Sequence, residues 1–444
     1  MIGHTIGLLV ANALFLVAGA GIRRLLGSTH GSGVSGVGLT YLVGLASFGV
    51  VAQALLVAGF SLSRAEATVL CMLLLASGLV RRRRPRPRRT GFARGARATL
   101  LALVAAAVLV ALGMRSLYEP LASWDAWAFW IPRAKSIVLF GGLNSHFLAA
   151  PATSNPDYPL LLPSVEATDF RFMGGFDTQV LHLQFWLVLV AFLGALPALL
   201  RDQVRPTLLR FAVVVLACAP SLALHAESAY ADVPLAVFVA LAGVLGWRWL
   251  VLHDGTALPL LVVFAAAAIA TKVEGRLFVA ALVATLAFLA ARESLRRSGE
   301  VLAAGVAAAL VGLLPWSIWL HVHGIHGAYH PELAGLGRHV DRIGPSVVSL
   351  LGRGLDPLQW LLVVPTGLAA LLLTYRCGAE RRTAALVAAT FLLSLCLLVA
   401  TYWATSYPFE WHLQTTADRV VIAPVLLLAA LTPVLLESVL RSAD

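Results

Sequence analysis

PLAVFVALAGVLGWRWLV, residues 234–251, carries a single charge, Arg248, in an otherwise apolar run. Wound as an α-helix at 1.5 Å per residue it is about 27 Å long, close to the ~30 Å hydrocarbon core of a bilayer. A membrane β-strand would alternate polar and apolar residues, and this stretch does not. A helix also satisfies its own backbone hydrogen bonds, which lipid requires. Similar runs lie on either side, near 4–21, 37–60, 66–80, 98–115, 180–200, 208–224, 257–271, 277–291, 301–320, 359–375, 384–402 and 420–440. The pattern predicts an all-α polytopic membrane protein with about thirteen transmembrane helices. The whole chain agrees. Of its 444 residues 59% are hydrophobic and 12% charged, with a mean hydropathy of +0.86. A soluble protein keeps roughly a quarter of its residues charged.

Arginine sets the expected orientation. Arg23 and Arg24, the run RRRRPRPRR at 81–89, Arg201 and Arg205, Arg292 with Arg296 and Arg297, Arg376 with Arg381 and Arg382, and Arg441 fall on alternate loops. Basic clusters at span ends stay on the cytoplasmic side. The N-terminus is therefore expected outside and the C-terminus inside, in the cytoplasmic (inner) membrane. The first span has no basic region before it and no cleavage motif after it, so it reads as an anchor, not as a cleavable signal. The net charge of +11 becomes a topology signal on loops that meet membrane lipids, and no nucleic-acid partner is expected. The four cysteines, at 71, 218, 377 and 396, match neither a disulfide framework nor a zinc site. Three regions follow: an N-terminal three-span segment (1–80), an Arg/Pro-rich connector (81–97) and a main membrane body (98–444).

Polar residues of unlike charge gather on the opposite, outer face. The longest outer loop, 116–178, contains SWDAWAFWIPRAKSIVLFGGL (123–143) and NPDYPLLLPSVEA (155–167). Trp124 and Trp127 flank Asp125, and Lys135 follows on a short surface helix expected to close at Gly141-Gly142. An interfacial aromatic belt accounts for the tryptophans and leaves Asp125 without a reason. HAESAYADVPLA (225–236) puts Asp232 at the mouth of an apolar helix, where it would also serve as an N-cap. TKVEG (271–275) carries Lys272 and Glu274 between two apolar helices. Only two of the 33 basic residues are lysines, Lys135 and Lys272, and both fall in outer motifs. The segment 321–344 holds five histidines, but glycines interrupt it, and a solvated loop is the favoured reading over a metal site. YPFEWHLQTTADR (407–419) brings His412 and Arg419 to the start of the last span.

These motifs, in this order, resemble those of bacterial GT-C membrane glycosyltransferases, the broad group that includes protein O-mannosyltransferases and aminoarabinose transferases. The resemblance runs from the fourth span to the C-terminus. It implies a GT-C-like helical bundle whose long extracytoplasmic loop carries short surface helices. It also implies a polyprenyl-phosphate-linked sugar as donor, a glycan, lipid or protein acceptor, and transfer with inversion. Asp125 matches the position of the catalytic base; Asp157 is its rival within the loop. Lys272, Arg419 and His412 would hold the departing phosphate. Trp124, Trp127 and Tyr158 would face sugar rings, with Lys135, Asp157, Asp232 and Glu274 orienting substrate. Some relatives hold a divalent ion (Mg or Mn), and the loop here has no Asp-Glu pair after its first span. Two other classes share part of the pattern. A lipid-linked oligosaccharide polymerase or ligase would have a larger outer loop. A secondary transporter would place charges at mid-membrane within an inverted repeat.

Overall fold

The computed structural model describes residues 1–31, 36–81, 96–118, 120–327, 329, 331–378 and 380–443. They form helices and turns, with no strand among the described residues. In chain order, α1 (Ile2–Leu25), α2 (Val37–Val57), α3 (Arg64–Ser77) and α4 (Ala96–Tyr118) come first. A π-helical turn, Ala126–Trp130, runs into α5 (Ile131–Phe140), followed by α6 (Ser145–Ala149) and α7 (Leu161–Met173). The long α8 (Thr178–Leu200) leads to α9 (Pro206–Ala217) and α10 (Pro220–Glu227). Next come α11 (Asp232–Val251), α12 (Ala257–Thr271), α13 (Glu274–Ala291), α14 (Leu295–Gly312) and α15 (Leu314–Val322). The chain ends with α16 (Ile343–Leu355), α17 (Pro357–Trp360), α18 (Val363–Arg376), α19 (Arg381–Trp403), α20 (Phe409–Val420) and α21 (Ile422–Ala443).

Eight of these helical stretches are long and apolar enough to cross a membrane, and ten if each of two bent pairs counts as one span. The architecture is that of a polytopic helical membrane protein. The bends, 55° between α9 and α10 and 41° between α14 and α15, come where Pro220 and Pro315 open the second helix. Proline removes a backbone donor and crowds the preceding turn. The spans expected at 66–80, 257–271 and 359–375 fall on α3, α12 and α18, of 14, 15 and 14 residues. At 1.5 Å per residue these helices are several ångströms short of a bilayer core. In α12 the shortness has a physical reason: the helix is packed among α2, α11, α13 and α14, so protein and not lipid is its solvent.

Within the loop expected at 116–178, α5 closes at Gly141 in the left-handed conformation, φ +70°, as the sequence predicts. The last part of that loop is no loop: α7 is buried along most of its length beneath α1, α2 and α5. The N-terminal helices are part of the body. Gln53 on α2 donates to the Gly312 carbonyl at 3.0 Å and accepts from the Leu160 amide at 2.8 Å, tying together the end of α14 and the start of α7. Helices α1 and α2 touch backbone to backbone. A methyl group at Gly19 would lie 1.8 Å from the Thr40 carbonyl, and one at Gly44 would lie 1.7 Å from the Phe15 carbonyl. The Arg/Pro-rich connector falls almost wholly outside the described residues.

The two ends of the bundle differ. At one end Arg248 grips Asp202 at 2.9 Å and Asp254 at 3.2 Å, Arg205 pairs with Glu437 at 3.1 Å, and Arg297 and Arg382 share Glu293. At the other end cations and carboxylates from separated segments meet in one connected network that includes a lysine.

Candidate functional site

Four separated segments meet at this second end. Asp232 is the first residue of α11, and it caps nothing: its side chain makes no bond to the helix's own amides. That corrects the N-cap reading. Its Oδ1 instead takes Lys272 Nζ at 2.8 Å, and its Oδ2 lies 4.0 Å from Arg419. Lys272, in the extended link between α12 and α13, also reaches Glu274 at 3.1 Å. Arg419, near the end of α20, pairs with Asp125. Lys272, Asp232 and Arg419 are all buried. Burial opposes the charge on Lys272, but the Asp232 and Glu274 carboxylates outweigh it and hold the pKa of the ammonium above its ordinary value.

The loop presents Asp125 through local structure. The π-helical turn begins immediately after it, and such turns re-aim side chains relative to a regular helix. The Asp125 amide donates to the Tyr230 hydroxyl at 3.3 Å, and the Arg419 guanidinium stacks over the Tyr230 ring at 4.8 Å. Tyr230 thus joins base candidate and cation candidate. Its sequence context does not single it out, although it opens the YADVPLA motif. Trp124 and Trp127, 61% and 45% exposed, meet edge to face at 4.5 Å beside Asp125.

Other candidates sit around this core. Tyr158 is half-buried and packs against Phe129 and Trp130, each at 5.6 Å. Burial, helped by Glu274, pushes its hydroxyl pKa well up. The Asp157 carboxylate lies against the backbone of Gly327, and its carbonyl accepts from the Trp316 indole at 2.9 Å. His412 stands two turns before Arg419 on α20, bonded to the Thr405 hydroxyl at 2.8 Å and caged by Tyr402, Tyr407 and Tyr329. Lys135 points elsewhere, with its ammonium 5.6 Å from the Phe176 ring centre. Its neighbour Arg133 has the structural role: fully buried, it donates to the carbonyls of Ser154, Asn155 and Tyr158 and so fixes the NPDYP turn.

Three carboxylates and two cations leave the network with an excess negative charge. Asp232, Lys272, Glu274 and Arg419 line a narrow crevice that their own ion pairs fill. The donor set does not fit a divalent ion. Lys272 and Arg419 fill the space between the carboxylates, where such an ion would have to sit. In the histidine-rich segment, His323 stacks on Trp319 at 4.0 Å and His339 lies 3.7 Å from Glu332; His330 lies outside the described residues. No protein-family model, curated protein or solved structure matches the chain.

A second polar group lies inside the bundle. Glu166 and Asp169, three residues apart on one face of α7, are wholly buried, and none of their four carboxylate oxygens has a hydrogen-bond partner among the described residues. Desolvation pushes both pKa values well above the usual carboxylate range. Nearby, Asn12, Tyr41 and Gln184 form a buried hydrogen-bonded chain across α1, α2 and α8.

Proposed function

We propose that this protein is a GT-C-type glycosyltransferase that moves a sugar from a polyprenyl-phosphate donor to an extracytoplasmic acceptor. The observation that supports it is the convergence of Asp125, Asp232, Lys272, Glu274 and Arg419 on one ion-pair network beside two exposed tryptophans. In the resting state Arg419 holds Asp125. The donor's phosphate competes for Arg419, which grips it bidentately, and for Lys272, a compact point charge. Arg419 turning to the phosphate frees Asp125. The acceptor hydroxyl or amine then attacks the anomeric carbon from the face opposite the phosphate, Asp125 takes its proton, and the carbon–oxygen bond to phosphate breaks with inversion. Polyprenyl phosphate leaves with the electron pair, its charge held by the two cations through preorganised electrostatics. Trp124 and Trp127 offer flat faces to a sugar ring.

Protein reconstituted in liposomes with labelled polyprenyl-phosphate sugars is expected to release polyprenyl phosphate, and Asp125→Asn should slow that release by about 10²–10⁴. Failure to consume any such donor, or full turnover by Asp125→Asn, would sink the reading. Labelling a cysteine at Ser154 from outside intact cells tests the orientation. One observation favours a proton-coupled transporter as the second reading: the unpartnered Glu166–Asp169 pair. Under that reading Glu166→Gln abolishes function, whereas the transferase tolerates it.

A further inference from the structure

A further cavity lies at the arginine-rich end, lined by none of the residues of the proposed transfer site. It has a volume of about 700 Å³ between α13, α18 and α19, within the ~300–1,000 Å³ range of small-molecule sites. Its walls are aliphatic, with Leu289, Leu371 and Ala388 among them, and Arg292, Arg381 and Arg382 line it as well. The three arginines are not electrically alike. Arg382 pairs with Glu293, a carboxylate it shares with Arg297. Arg292 stands over the Phe288 ring at 4.8 Å, and neither it nor Arg381 forms an ion pair among the described residues. Glu380, next to Arg381, accepts instead from the Thr383 hydroxyl at 3.1 Å.

We infer that this cavity binds one anionic phospholipid of the surrounding bilayer, an acyl chain between the leucines and the phosphate between Arg292 and Arg381. The match is amphiphilic. A topology signal needs basic residues near span ends, but not two guanidiniums without a carboxylate partner in the lining of one hydrocarbon-walled cavity. A soluble anion would gain nothing from leucine walls, and a zwitterionic lipid brings a cation of its own to the arginines. Basic residues near a membrane surface draw anionic headgroups in proportion to their number.

The full-length protein, purified in detergent and stripped of lipid, is titrated with phosphatidylglycerol or with phosphatidylcholine of the same chains and read by native mass spectrometry. Phosphatidylglycerol should bind in one copy, at least about tenfold tighter than phosphatidylcholine. The double variant Arg292→Gln/Arg381→Gln should lose that preference while its lipid-free melting temperature holds. Ala388→Phe, which fills the cavity and keeps every arginine, should weaken phosphatidylglycerol binding, and it decides alone if the double variant fails to fold. Equal binding of the two lipids, undiminished binding by Ala388→Phe, or displacement of the lipid by chain-free glycerol phosphate would each overturn the proposal.

Discussion

Asp232 on α11 and the pair Glu166 and Asp169 on α7 are almost equally removed from solvent, yet the protein treats them in opposite ways. Asp232 faces Lys272 on one oxygen and Arg419 on the other. Glu166 and Asp169 face no donor among the described residues. A buried charge costs several kcal/mol unless matched, and an unmatched acid escapes that cost by keeping its proton. The first group is therefore an ionic network in which removing one member exposes another. The second is a pair of neutral acids, polar in name and nearly apolar in effect. Only the first can exchange an internal counter-ion for an ionic ligand.

The same conservative swap separates the two groups most widely. Asp232→Asn strips Lys272 of its nearest carboxylate and should destabilise the fold by about 3 kcal/mol, read as a lower thermal midpoint in detergent. Glu166→Gln copies the protonated acid and should cost less than about 1 kcal/mol. A similar loss in both variants would erase the distinction between ionic network and neutral pair.

Acidity sharpens it further. Folding holds protons on Glu166 and Asp169 that the unfolded chain has released above about pH 4. Stability from this source is therefore complete below that pH and declines as pH rises through the elevated folded values, by up to about 1.4 kcal/mol per pH unit for each acid. The double variant Glu166→Gln/Asp169→Asn should flatten the dependence of melting temperature on pH, and an unchanged slope would mean that these acids titrate normally. The smallest effect belongs to Lys135. With its ammonium over Phe176 and away from the network, Lys135→Gln should cost no more than about 1 kcal/mol and leave transfer rates as they were. A large fall in donor use would return Lys135 to the site.

The membrane fold was legible because lipid imposes a minimum apolar length, and long runs such as 234–251 have few other uses. Legibility failed where lipid is not the solvent. Helix α7 reads as loop because LLPSVEATDF carries two acids. Asp125, Asp232, Lys272, Glu274 and Arg419 could be singled out since a charge beside an apolar run needs a partner. Which partner each has is a tertiary matter. Tyr230 was missed because a tyrosine at a span end is an ordinary interfacial anchor, and nothing local reveals a guanidinium over its ring. Arg133 lay beside the conspicuous Lys135, and only the course of the loop turns it toward three carbonyls.

The seam between α1 and α2 has an evolutionary corollary. At Gly19 and Gly44 each backbone occupies the space that the other's first side-chain carbon would need. Neither position can drift even to alanine without parting the two helices, however freely the lipid-facing residues around them exchange one aliphatic group for another. The pair is thus a mark that neutral variation cannot erase. Chains that keep this N-terminal hairpin are therefore expected to keep glycine at both positions, because the close backbone contact leaves no room for a side chain.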